Sequence, residues 1–219
     1  NNNPANPVIN TRSYGEDPHA VARLGAAFIH GLQDHGMIAT AKHFPGHGDT
    51  ETNSHLALPV VNVSRARLDT VELVPFRAAI AAGVGAVMTF HGSMPALDSS
   101  GAPGTLSHNV VTGLLRNELG FNGLVISDAM DMKGVTDKYG ATEAIKRAVA
   151  AGVDVLIQPT DVPAAITAVV DGVTEGRYSE TRVSEAARRI LAMKRQLHLD
   201  RDRLVDLDSL RAIVGDSAH

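Results

Sequence analysis

Gly123-Leu124-Val125-Ile126-Ser127-Asp128 is a short apolar run that ends on a carboxylate. A run this short, without polar alternation, suits a strand buried on both faces in a parallel sheet. The same arrangement recurs along the chain. Met37 to Ala41 runs into Lys42 and His43, Gly85 to Phe90 runs into His91, and Val153 to Ile157 is a fourth candidate strand. Helical periodicity fills the intervals. Asp17-Pro18 starts a helix with an N-cap carboxylate and a proline at the first position; Val21, Leu24, Ala27, Phe28 and Leu32 then recur until Gly36. Ser64 caps a helix to about Ala82, Ser107 one to Gly120, and Ser179 one over Glu180 to Leu197. Further helices are expected over Ala141 to Ala151, Val162 to Thr174 and Leu207 to Val214.

Short strands separated by helices mean an α/β fold, either a closed barrel or an open doubly wound sheet. The polar strand ends decide between them. Lys42 with His43, His91 and Asp128 stand at the ends of different strands, and a barrel assembles its site from several strand ends. An open sheet gathers its ligand at one switch point, commonly with a glycine-rich phosphate turn, and neither GxGxxG nor a P-loop occurs here. The expectation is a (β/α)8 TIM-type barrel. About four strands cannot close it, so either this chain is half of a barrel, over residues 1–200 with residues 201–219 a tail with a short helix, or the sheet is open; a loop-like N-terminus favours the half barrel. Asn1-Asn2-Asn3-Pro4-Ala5-Asn6-Pro7 reads as a loop from inside a longer protein rather than as a signal segment.

Beyond the first strand the chain continues Lys42-His43-Phe44-Pro45-Gly46-His47-Gly48-Asp49-Thr50-Glu51-Thr52-Asn53-Ser54-His55. Proline and two glycines exclude a helix, so His47, Asp49, Glu51 and His55 crowd one loop. That density of titratable groups exceeds what a connecting loop needs. His43 and His47 have the spacing of a metal-binding pair, but such pairs sit on helices, so no metal site is expected. His47 has two readings of equal weight, one at the site and one hydrogen-bonding the loop together.

This segment resembles the motif of bacterial β-N-acetylhexosaminidases in glycoside hydrolase family 3. So do Arg12-Ser13-Tyr14-Gly15-Glu16-Asp17-Pro18, Val87-Met88-Thr89-Phe90-His91 and Gly123 to Asp128, in the family's order. The resemblance implies a barrel whose first four strands lie upstream of Asn1, which makes residues 1–200 its C-terminal half, so the missing N-terminal half, from the same precursor or a companion chain, is an expected partner. It also implies that Asp128 is the nucleophile of a retaining glycosidase. A carboxylate after an apolar run is poor core material but suits attack on an anomeric carbon; the alternative is an Asp that caps the next loop. Asp131 reads as a loop residue.

Most retaining glycosidases add a second carboxylic acid. The resemblance implies a loop histidine instead, His55, whose ordinary pKa near 6.5 lets it donate to the leaving oxygen and later accept from water. A partner must hold such a ring. The family usually has Asp two positions before the histidine; here Asn53 stands there. Its carbonyl can still accept a ring N–H, but the charge that would raise the imidazolium pKa is gone, so activity is expected at lower pH than in an Asp-bearing relative. Asp49 or Glu51 could replace that charge. Arg12, Lys42 and His43 correspond to residues that grip sugar hydroxyls, and His91 lines or supports the same pocket.

Composition narrows the field further. The 219 residues are 44% hydrophobic and 20% charged, with net charge −4 and no cysteine. No basic face points to nucleic acid, no apolar run is long enough to span a membrane, and disulfide or thiol chemistry is excluded. No cofactor is expected. The expected activity is exo-acting hydrolysis of terminal β-N-acetylhexosaminides, N-acetylglucosaminides such as muropeptide fragments in cell-wall recycling among them. A phosphorylase of the same family, or a sugar-binding barrel that has lost catalysis, are the alternatives. The compartment, bacterial cytoplasm or cell envelope, stays open. Half a barrel alone is expected not to turn over substrate.

Overall fold

The computed structural model describes residues 3–53, 57–204 and 206–214. Its centre is a parallel sheet of four strands in the order β1-β2-β3-β4, with β1 Thr40–Phe44, β2 Ala86–Thr89, β3 Leu124–Ala129 and β4 Val155–Ile157. Neighbours in the sheet are neighbours in sequence, each pair joined by helices. This is the topology of a barrel wall, here a partial barrel with β1 and β4 at its two margins among the described residues.

Capping residues begin the helices where expected. Asp17 accepts from the amides of His19 and Ala20 at the start of α1, Pro18–Gln33. Ser64 accepts from Arg67 at the start of α2, Arg65–Thr70. The helix expected from Ser64 to Ala82 is nevertheless two helices, α2 and α3, Leu73–Ala81. Pro75 explains the break, because inside one continuous helix its ring would meet the carbonyl four residues earlier, whereas in the first turn of α3 it costs nothing. Helix Asn109–Glu118 has wide turns, with Leu119 bonding back to Leu114, and Ser107 accepts from Val110 at its start. A helix not anticipated, α4 at Lys133–Tyr139, follows β3 directly. Then come α5 Ala141–Ala151, α6 Val162–Thr174, α7 Glu180–Gln196 and α8 Leu207–Ile213.

Strand β1 lies further along the chain than the apolar run Met37 to Ala41 suggested. Gly36 leaves α1 with φ +78, Met37 is exposed, and pairing begins only where Thr40 meets Ala86 and Ala41 meets Val87. Register with β2, not local hydrophobicity, sets the bounds. Lys42 and His43 therefore belong to the strand itself. Pairing is irregular between Ala41 and Phe44, where the Lys42–His43 and Phe44–Pro45 peptides are both cis.

The core lies between sheet and helices, around Phe44, Leu68, Leu73, Val87, Leu115 and Val125. Gly123 is fixed by the approach of two strands, since a Cβ there would stand 2.4 Å from the Gly85 carbonyl oxygen. Helix α7 runs across the strands' N-terminal ends. Arg182 donates to the Val153 carbonyl at 2.6 Å, Arg189 reaches Asp154, and Met193 lies beside Gly85 at the start of β2.

Candidate active site

The C-terminal strand ends carry the chemistry-bearing side chains. Asp128, near the end of β3, is partly exposed; its Oδ1 accepts the Ala129 amide at 2.9 Å and its Oδ2 stands 3.8 Å from Nε2 of His43 on β1. The sheet thus brings together two residues that are 85 positions apart in sequence. They do not form an ion pair. Burial drives the His43 pKa down to about 3, against the opposing pull of Asp128, so the ring is neutral. Nδ1 of His43 is buried with no hydrogen-bond partner among the described residues.

Lys42, the neighbour of His43, is exposed. Together with Arg12, whose Nε donates to the Val8 carbonyl at 2.9 Å, both residues line a cavity of about 400 Å³. The rest of its lining is mostly apolar, with Phe28 and Ile29 of α1, Ala39 and Ala41 at β1 and Phe76 of α3, but it also includes Glu16 and Glu72. Asp128 is not in this lining. The cavity is thus a trough along β1, and the His43 ring stands between it and the carboxylate.

The loop after β1 is tied down from several sides. His47 is buried, its Nδ1 is 2.9 Å from Thr50 Oγ1, and its carbonyl accepts from Asn6 at 2.6 Å. Both readings of His47 find support, since it bonds within the loop and also lines the cavity beside Lys42 and His43. Asp49 lies 3.6 Å from Arg67 on α2, which also faces Glu72 at 3.2 Å, so the Asp49 carboxylate is committed towards α2. Burial raises the Glu72 pKa, with Arg67 opposing. Glu51 is exposed. Asn53 is the last described residue before the segment 54–56; His55 lies outside the described residues. Asp131 accepts from Gln158 at 2.9 Å, in keeping with its reading as a loop residue.

Two residues at the strand ends were not singled out from sequence. Gln158, directly after β4, has a left-handed backbone with φ 48. Thr105, from the segment between β2 and β3, is fully buried and bonds to His91. Neither carries a motif; only the fold places them. Among the described residues no group of three or more His, Cys, Asp or Glu side chains converges as a metal site would.

Residues 1–193 match the family described as glycosyl hydrolase family 3 N terminal domain. Beta-hexosaminidase A of Pseudoalteromonas piscicida is 35% identical over 217 residues, covering 90% of this chain and 36% of that protein. Among solved structures, a glycoside hydrolase family 3 beta-N-acetylglucosaminidase from Paenibacillus sp. str. FPU-7 superposes with TM-score 0.90 at 48% identity, covering 94% of this chain and 40% of that one. The beta-glucoside phosphorylase BglX superposes with TM-score 0.92 at 31% identity, covering 98% and 40%. The chain thus spans well under half the length of these relatives. Each relative is one longer chain, so a separate companion polypeptide, one of the two sources expected for the missing barrel half, finds no support.

Proposed function

The chain belongs to glycosyl hydrolase family 3, and from that premise we propose that it carries the catalytic half of an exo-acting retaining β-N-acetylhexosaminidase. The observation that carries the reading is the placement of Asp128. Its carboxylate stands at a strand end, oriented by the Ala129 amide through Oδ1, with Oδ2 left to face the site beside His43. Asp128 attacks the anomeric carbon while His55 donates a proton to the departing oxygen, giving a covalent glycosyl-enzyme. His55 then takes a proton from water, the water oxygen bonds to the anomeric carbon, and the bond to Asp128 breaks. Asn53 orients the His55 ring through its side-chain carbonyl. Arg12, Lys42 and neutral His43 bind sugar hydroxyls where they line the cavity. Terminal N-acetylglucosaminides, cell-wall muropeptides among them, are the substrate class. An upstream half-barrel in the same polypeptide completes the pocket and covers the trough along β1.

The test is a fluorosugar inactivator applied to the protein expressed together with its upstream barrel half. Asp128 should acquire one sugar, seen by peptide mass, and Asp128→Asn should lose at least about 10³-fold in kcat, as removal of a nucleophile does. Labelling at any other carboxylate would overturn the assignment. One second reading has support: transfer of the sugar to phosphate. The likeness to a beta-glucoside phosphorylase and the neutral Asn53, which would repel an anionic acceptor less than Asp, both favour it. Release of sugar 1-phosphate when phosphate is added separates the two.

A further inference from the structure

His91 has no exposed surface, so it cannot touch a sugar, yet its ring is fully committed at the edge of the site. Nε2 lies 3.0 Å from the carbonyl oxygen of Ala129, the residue after Asp128, and Nδ1 lies 2.8 Å from Thr105 Oγ1. A carbonyl can only accept, so Nε2 carries the hydrogen and Nδ1 accepts from the Thr105 hydroxyl. With its hydrogen spent there, Thr105 accepts from Thr89, 2.8 Å away and equally buried. Donation therefore runs one way, from Thr89 to Thr105 to His91 to Ala129. Burial lowers the His91 pKa, although Asp128 and Asp131 pull it up, so the ring stays neutral and keeps this tautomer.

Ala129 is held at both of its backbone groups. Its amide donates to Asp128 Oδ1 at 2.9 Å, its carbonyl accepts from His91 at 3.0 Å, and the next amide, of Met130, donates to Ile157 at 2.8 Å. We infer that His91 is a positioning residue: through the Ala129 peptide it fixes the backbone that aims the Asp128 carboxylate, with Thr105 and Thr89 fixing His91 in turn. This rests on the proposed role of Asp128 as nucleophile. A nucleophile displaced by about 1 Å loses on the order of 10²-fold in rate, so a hydrogen bond to the next residue is enough to matter.

The experiment uses the protein with its upstream barrel half and three variants. His91→Leu removes the donor, His91→Gln offers an amide N–H to Ala129 and a carbonyl to Thr105, and Thr105→Val removes the hydroxyl that orients the ring. His91→Leu should lower kcat by about 10- to 100-fold with KM within about threefold. His91→Gln should recover most of that loss, and Thr105→Val should cost about 3- to 10-fold, since the ring keeps its packing. Rates are taken per folded molecule, with Tm recorded beside them. Variants that melt earlier but keep the parent kcat would mean a role in packing alone and would overturn the inference. Should His91→Leu fail to fold, Thr105→Val at the parent kcat overturns it alike. Fluorosugar labelling separates the two proposals: no label on Asp128 in the parent protein defeats the nucleophile assignment and this inference with it, whereas labelling at equal rates in parent and variants defeats the positioning role alone.

Discussion

The His43 imidazole is buried 3.8 Å from a carboxylate and stays neutral, which ties stability to pH in a definite sense. In the unfolded chain the ring titrates near 6.5; in the folded protein burial holds its pKa near 3. Below pH 6.5 the unfolded state therefore binds a proton that the folded state refuses. The stabilisation is complete above the unfolded pKa and is lost progressively as pH falls towards the folded one. His91, lowered by the same cause, acts in the same direction. We expect the urea midpoint of the barrel-complete protein to fall between pH 6.5 and 4, and the fall to be shallower in His43→Gln. Parallel curves for the two proteins would refute the assignment. At this scale sequence was uneven in what it disclosed. Asp128, Lys42 and His43 were legible because each stands in or beside an apolar strand that fixes where it ends up. The commitment of Asp49 to Arg67, and of His91 to Thr105, was not, because the partners come from α2 and from a segment 14 residues away whose path only the fold determines.

Among the elements, β4 and α7 are joined by one acid. The Asp154 side chain is fully buried at the start of β4, where Oδ2 meets Arg116 at 2.5 Å and the Val125 amide at 3.0 Å. Its Oδ1 meets Arg189 at 3.1 Å and Arg182 at 3.3 Å. One carboxylate thus ties β3, β4, the wide-turned helix and α7 together at the end of the sheet opposite the site. Conserving stability rather than turnover is what that end of a barrel does. Asp154→Ala should cost about 3–5 kcal/mol, because it strands buried guanidinium charge and a strand amide, and should leave kcat per folded molecule unchanged. A loss below about 1 kcal/mol in urea titration would contradict it. The strands were readable because continuous apolar runs leave few other fates, the helices α1 and α7 because caps and stripes agree, and α5 and α6 from their apolar spacing. The exact start of β1 depends on pairing with β2, which no local pattern encodes. Helix α4 was missed for a similar reason: Lys133-Gly134-Val135-Thr136-Asp137-Lys138-Tyr139 has no apolar stripe, and only Gly134 and Val135 are buried.

At the scale of the molecule, both margins of the sheet continue into apolar surface. Leu24 and Phe28 of α1 are exposed, Phe28 at the trough along β1, and Val162, Ile166 and Val170 form an exposed stripe on α6, which packs on α5. A sheet margin with unpaired backbone groups and flanking apolar side chains is a template for further pairing. In a closed barrel one upstream half would cover both margins at once, since β1 and β4 would each gain a neighbour and α1 and α6 a packing partner. On the proposed reading the site depends on the same closure, because Arg12, Lys42 and His43 line a trough along the β1 margin of the sheet. The 219 residues expressed alone should therefore associate on size-exclusion chromatography and show no turnover of an aryl N-acetylglucosaminide above about 10⁻³ of the barrel-complete protein, in line with the loss of a properly held binding geometry. Supplying the upstream half in the same polypeptide should restore a discrete species and activity together. Robust hydrolysis by the isolated chain as a monomer would mean that these strands find closure in another way, and the half-barrel account of both the exposed faces and the site would fail.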